Sequence, residues 1–177
     1  MAIRIRNKRS QNSQLPVNKK TPADVFAIAR EHNIQTLPID LQALCRLLGI
    51  GIQYTPLEDN ASGKLSHDGD RWMIHVNSLH HPRRQRFTIA HELGHYFLHR
   101  DSQRGYEDTT FHRGKRYTKT ELEADNFAGA LLMPKDEFKQ YIRNSSNKID
   151  EITDYFDTSS MAVKKRADIL RNDAYEF

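Results

Sequence analysis

The stretch that most constrains this chain is Arg86 to Arg100, RFTIAHELGHYFLHR. Within it His91, Glu92 and His95 make the pattern HExxH, which on a helix holds zinc through its two histidines and uses its glutamate as a base. The spacing has a geometric reason. Residues four apart share one face of an α-helix, so His91 and His95 can turn two imidazole nitrogens toward one ion. Glu92 stands about 100° further round, where it can touch an activated water rather than the metal. No proline interrupts the run, and Phe87, Ile89, Ala90, Leu93, Phe97 and Leu98 offer apolar surface to seat the helix in a core. Two histidines and an acid also coincide on ordinary helices, so the motif needs a third ligand to be specific.

Thr120 to Pro134, TELEADNFAGALLMP, supplies one. Its Ala, Leu and Glu residues favour a helix, and Pro134 ends it. Glu121 and Glu123 compete for the metal, but two residues apart they point about 200° away from one another, so only one can face it. Glu121 shares its face with Ala124, Asp125 and Ala128. The two alanines permit close approach to the first helix, and Asp125, one turn on, can accept the other ring N–H of a metal-bound histidine. Glu123 shares its side with Asn126 and Ala130 instead. Glu121 is therefore the expected ligand and Asp125 its orienting partner. Each acid also has a plainer reading, Glu121 as a first-turn helix acid and Asp125 as a solvated charge. Asp101 and His99 are rivals for the third ligand. A metzincin-like layout would need a glycine at Leu98 to turn the chain back toward Asp101, and helix geometry carries His99 one turn beyond the pair.

RFTIAHELGHYFLH followed by E-x-E-A-D-x-F-A-x-x-L-L-M-P resembles the ImmA/IrrE family of bacterial and phage metallopeptidases. PIDLQALCRLLGI, SGKLSHDGDRWMIHVNSLHHPRRQRFTIAHELGH and YFDTSSMAVKKRADIL are similar to successive segments of that family, over roughly Thr21 to Leu170. The resemblance implies a zinc site of His91, His95 and Glu121 with Glu92 catalytic. It also implies a substrate: a helix-turn-helix repressor, cleaved to switch on stress, phage or mobile-element genes.

The remainder of the chain bounds these expectations. At 177 residues it is long enough to bury a core without help from disulfides or metal. The lone cysteine, Cys45, cannot form an internal disulfide and reads as a small core residue. There is no apolar leader or membrane-length run, so a cytoplasmic protein with no membrane partner is expected. The formal charge of +4 permits contact with nucleic acid without requiring it.

Met1 to Lys20 carries Arg4, Arg6, Lys8, Arg9, Lys19 and Lys20 but no acid, and is expected to be a disordered basic arm. It can attract nucleic acid or simply be a solvated tail, the plainer of the two. Residues 21–133 are expected to form the metallopeptidase core, and 134–177 a helical segment packed on it. Thr21-Pro22 starts one helix and Asp40 another, which Gly49 ends. Their joining segment, Ile34 to Ile39, is too long for the tight turn of a helix-turn-helix, so the two read as packing helices. Ile50 to Tyr54, Gly63 to His67 and Arg71 to Asn77 read as strands, the last two joined at Asp68-Gly69. An edge strand beside the metal could pair with an extended substrate. Asp101 to Tyr117 reads as a long loop, of the kind that serves as a lid. Its Tyr106, His112 and Tyr117 are candidates to stabilise an oxyanion, though each is more simply an exposed loop residue. Three helices follow: KDEFKQYI after Pro134, Ile149 to Phe156, and Met161 to Leu170 capped within Thr158-Ser159-Ser160. Lys164, Lys165 and Arg166 on the last can meet nucleic acid, but a solvated face is the simpler reading.

The expectation is a compact α+β, zincin-like zinc endopeptidase, with a small β-sheet and an HExxH helix flanked by short helices. The alternatives are a non-proteolytic module in a repressor or toxin–antitoxin complex, a DNA-binding regulator, and a zinc hydrolase acting on a small amide. An acid beside two metal ligands is superfluous in a pure binding module, which favours the enzyme.

Overall fold

The computed structural model describes residues 20–58, 61–100 and 118–172. The basic arm, apart from Lys20, and the Asp101 to Tyr117 loop with Tyr106, His112 and Tyr117 lie outside the described residues.

Local chemistry sets the helix starts. Helix α1 (Pro22–Glu31) opens on a reciprocal cap: Thr21 Oγ1 accepts the Asp24 N–H at 3.3 Å, and the Asp24 carboxylate accepts the Thr21 N–H at 2.7 Å. Asp40 caps α2 (Leu41–Leu47) by accepting the Ala43 N–H at 2.9 Å. Val25, Phe26 and Ala29 of α1 and Leu41, Leu44 and Cys45 of α2 are buried in the common core, so the pair packs rather than presenting a reading helix. Burial pushes the Cys45 thiol up to about 12, leaving it inert at neutral pH.

Strands β1 (Gly51–Thr55), β2 (Gly63–His67) and β3 (Trp72–Asn77) form one sheet in the order β1-β3-β2. The β2–β3 hairpin turns at Asp68-Gly69, where the Asp68 N–H donates to the Arg71 carbonyl at 3.2 Å and Gly69 takes φ +93°, a conformation open to glycine at no steric cost. β1 runs parallel to β3, pairing Ile52 with Ile74. Among the described residues that leaves both β1 and β2 as edges. Leu65, Ile74 and Val76 turn into the core, and Trp72 meets Tyr96 of the next helix edge-on at 5.6 Å.

Helix α3 (Pro82–Leu98) lies against this sheet and packs along α4 (Lys119–Leu132). Ala124, Phe127, Ala128 and Leu131 are wholly buried along α4, with Phe127 stacked on Phe97 at 5.8 Å. A Cβ on Gly94 would lie 3.0 Å from the Ala124 Cα and 3.1 Å from its carbonyl oxygen. The close approach of the two helices thus rests on a glycine of α3 as well as the alanines of α4.

Helices α5 (Lys135–Asn144), α6 (Ile149–Phe156) and α7 (Ser160–Arg171) follow among the described residues, α7 packing on α4 and α6. One expectation needs correction here. Lys164 is exposed, but Arg166 is buried and donates from Nε to the Met133 carbonyl at 3.0 Å, while Lys165 reaches Asp125. The three cations do not form one solvated basic face.

Candidate metal centre

Helix α3 presents His91 and His95 one turn apart with their Nε2 atoms 3.0 Å from each other. Glu121, in the first turn of α4, sits across from both: Oε2 is 3.5 Å from His91 Nε2, and Oε1 is 3.5 Å from His95 Nε2. One ligand atom from each of the three residues falls within 4.8 Å of the others. Among the described residues this is the group of acids and histidines that could hold a metal ion.

The environment fits a cation at that point. Glu121 Oε2 is buried and makes no hydrogen bond. The His91 Nδ1–H donates to Asp125 Oδ1 at 2.8 Å, which leaves Nε2 as the lone-pair nitrogen of a neutral ring, directed at His95. Two lone pairs facing at 3.0 Å repel unless positive charge lies between them. Burial pulls His91 toward neutrality, yet the Asp125 and Glu121 carboxylates outweigh it and raise the ring to about 9, so that without an ion the positive charge between the two Nε2 atoms is a proton, whose place a metal would take. Burial also disfavours the Glu121 carboxylate, and the two imidazoles overcome that to bring it down to about 2. The His95 ring shifts opposite to His91, lowered chiefly by burial. Two imidazoles and a carboxylate are a donor set suited to zinc, with one position left for water or substrate.

Glu92 is 2 % exposed. Burial pushes its carboxyl up to about 7, the His91 ring pulling down, Glu121 pushing up, and a hydrogen bond from the Leu65 backbone N–H pulling down. An acid balanced near neutrality can accept a proton and return it.

The Leu65 contact also orients the sheet. The Asn77 N–H donates to the Ser62 carbonyl at 2.9 Å, just beyond the Gly63–Val76 pair. Antiparallel bonding alternates, so Lys64 and Ser66 bond to β3 while Gly63 and Leu65 turn their backbone groups outward. The outer edge of β2 therefore faces Glu92. A Cβ on Gly63 would clash with Thr88 Cγ2 and lie 2.7 Å from the His75 carbonyl oxygen and 3.5 Å from Glu92 Oε1. Glycine lets the strand come this close.

The sequence reading missed three further contacts. Asp125 Oδ2 accepts from Lys165 Nζ at 2.6 Å, so α7 also holds the acid that bonds His91. His95 Nδ1 lies 3.0 Å from His99 Nδ1, and His99 Nε2 lies 2.9 Å from Glu123 Oε2. The series His91, His95, His99 was a visible signal for the last pair, but nothing local pointed to Glu123. Neither His99 nor Glu123 belongs to the three-residue group, and Asp101 lies outside the described residues.

Two imidazoles and a carboxylate on adjoining helices, with a buried acid next to the first histidine, outline a centre of the metallohydrolase kind. The chain belongs to the peptidase family of the IrrE N-terminal-like domain, whose model matches residues 45–168. Its resemblance to ImmA/IrrE proteins is thereby borne out, as is the α+β zincin-like fold. It is similar to metallopeptidase ImmA of Bacillus subtilis (strain 168), 56% identical over 43 residues that make up 23% of this chain and 24% of that protein. Its fold is similar to that of a solved transcriptional regulator of Mycobacterium tuberculosis, at TM-score 0.55 and 21% identity, covering 82% of this chain and 45% of that one. The matches thus span about a quarter and under half of these relatives' own lengths. No helix among the described residues is long and apolar enough to cross a membrane.

Proposed function

We propose that the chain is a zinc-dependent endopeptidase whose ligands are His91, His95 and Glu121 and whose general base is Glu92. The observation that carries this reading is the convergence of those three side chains beside a buried Glu92 that itself touches an edge strand. Zinc held there would supply a Lewis acid for the peptide carbonyl and would lower the pKa of water to about 7. The protein's own groups do the rest. Asp125 fixes the His91 ring with Nε2 forward. Glu92 takes the proton of the attacking water and later hands it to the leaving amine. The outward Gly63 backbone groups and the outward Leu65 carbonyl pair with an extended substrate, as an added strand would, and lay its carbonyl next to Glu92.

The substrate we propose is a helix-turn-helix repressor whose cleavage relieves repression, the class implied by the ImmA/IrrE resemblance. The test is to incubate the full chain and zinc with any helix-turn-helix protein that an adjacent reading frame encodes, and to map cuts by mass spectrometry. Discrete cleavage that disappears with chelator and with Glu92→Gln is the expected result. No cleavage by zinc-loaded protein would overturn this choice of substrate.

A further inference from the structure

His91 and His95 are held by different means. For His91 the chain is short: its Nδ1–H donates directly to the Asp125 carboxylate. His95 Nδ1 lies instead 3.0 Å from His99 Nδ1. His99 is itself buried, at the C-cap of α3, with its backbone N–H bonded to the His95 carbonyl at 2.9 Å. The two rings lie tilted to one another by 52°, with centroids 5.1 Å apart. Beyond it, His99 Nε2 lies 2.9 Å from Glu123 Oε2.

The directions of these bonds follow from one end. An ionised carboxylate only accepts, so His99 Nε2 must carry the proton and donate to Glu123. In a neutral imidazole the other nitrogen is then an acceptor, so His99 Nδ1 accepts from the His95 Nδ1–H. With its proton on Nδ1, His95 has its lone pair on Nε2, the atom that faces His91 and Glu121. Lys119, with Nζ 3.7 Å from Glu123 Oε1, adds a favourable charge at the far end.

We propose that His99 and Glu123 are positioning residues that act in series to hold His95 in the tautomer and ring orientation a metal ligand needs. This rests on the reading of His95 as a zinc ligand. The arrangement is the counterpart of Asp125 on His91, lengthened by one imidazole because His95 lies a turn further along α3. It assigns a role to both acids flanking position 122 of α4: Glu121 toward the metal, and Glu123, about 200° round the helix, toward the imidazole behind it.

Zinc affinity of the full-length protein, measured by competition with a chromogenic chelator alongside the thermal midpoint of the metal-free form, tests this. His99→Phe is expected to weaken zinc binding about 10- to 100-fold, the usual cost of losing a group that orients a ligand, with little change in the metal-free midpoint. His99→Gln, whose amide oxygen can still accept from His95, should recover part of the loss. Glu123→Gln should weaken binding in the otherwise native chain and have no further effect in the His99→Phe background, because it acts only through His99. Native affinity in His99→Phe would overturn the relay, and so would an undiminished Glu123→Gln effect in that background. Should His99→Phe not fold, Glu123→Gln decides alone, its side chain being one-third exposed; unchanged affinity there overturns the relay. A native chain that binds no zinc overturns the metal reading and the relay together, whereas failure of the variants alone leaves the metal reading intact.

Discussion

Two substitutions separate the chemistry of Glu92 from that of Glu121. Glu92→Gln keeps shape and hydrogen bonding but cannot accept a proton, so hydrolysis should drop by roughly 100-fold or more while zinc content stays at the native level. Turnover measured on the zinc-loaded variant checks this, and near-native rates would remove Glu92 from the base role. Glu121→Ala should instead lose the metal. Zinc content after dialysis, measured by atomic emission, ought to fall well below that of Glu123→Ala, because Glu121 touches both imidazoles and Glu123 touches neither. Equal loss in the two variants would undo the distinction between ligand and positioning residue.

Among the elements, the seams between α3 and its neighbours matter most. Gly94→Val puts methyl groups where the Ala124 backbone already lies at contact distance, and overpacking of this kind costs about 1–3 kcal/mol. Denaturant unfolding should show the loss. Gly63→Ala forces β2 away from Thr88 and the His75 carbonyl, so it should reduce peptide hydrolysis more than zinc affinity. A steady-state comparison of kcat/KM with a zinc titration tells the two apart. At the α4–α7 seam, Lys165→Met removes the cation that holds Asp125 Oδ2. Zinc binding should weaken, but by less than in Asp125→Ala, for which about 10- to 100-fold is expected.

For the whole molecule, a metal bound only by the folded state stabilises it by mass action. At free zinc 100 times the dissociation constant that is about 2.7 kcal/mol, a rise of roughly 5–10 °C in Tm for a chain of this size. Scanning calorimetry of native protein with and without zinc should show the shift, and Glu121→Ala should lack it.

What the sequence by itself determined is what short-range chemistry encodes. Thr21, Asp40 and Ser159 announce their helices because a cap bonds a backbone group three residues on. HExxH places His91 and His95 together because four residues make about one helical turn. Asp68-Gly69 marks its hairpin because glycine accepts φ +93°. The same arithmetic separates the faces of Glu121 and Glu123. What only the tertiary structure decided lies between elements. β1 settles beside β3, parallel, rather than beside its sequence neighbour β2, and so, among the described residues, leaves β2 as the edge strand facing Glu92. Asp125 meets His91 across 34 positions of chain, Glu123 meets His99 across 24, and Lys165 meets Asp125 across 40. No periodicity of a helix or strand relates residues so far apart. Their pairing is set by how closely Gly94, Ala124 and the sheet allow α3, α4 and α7 to pack, and by the cost of leaving a buried imidazole or carboxylate without a partner.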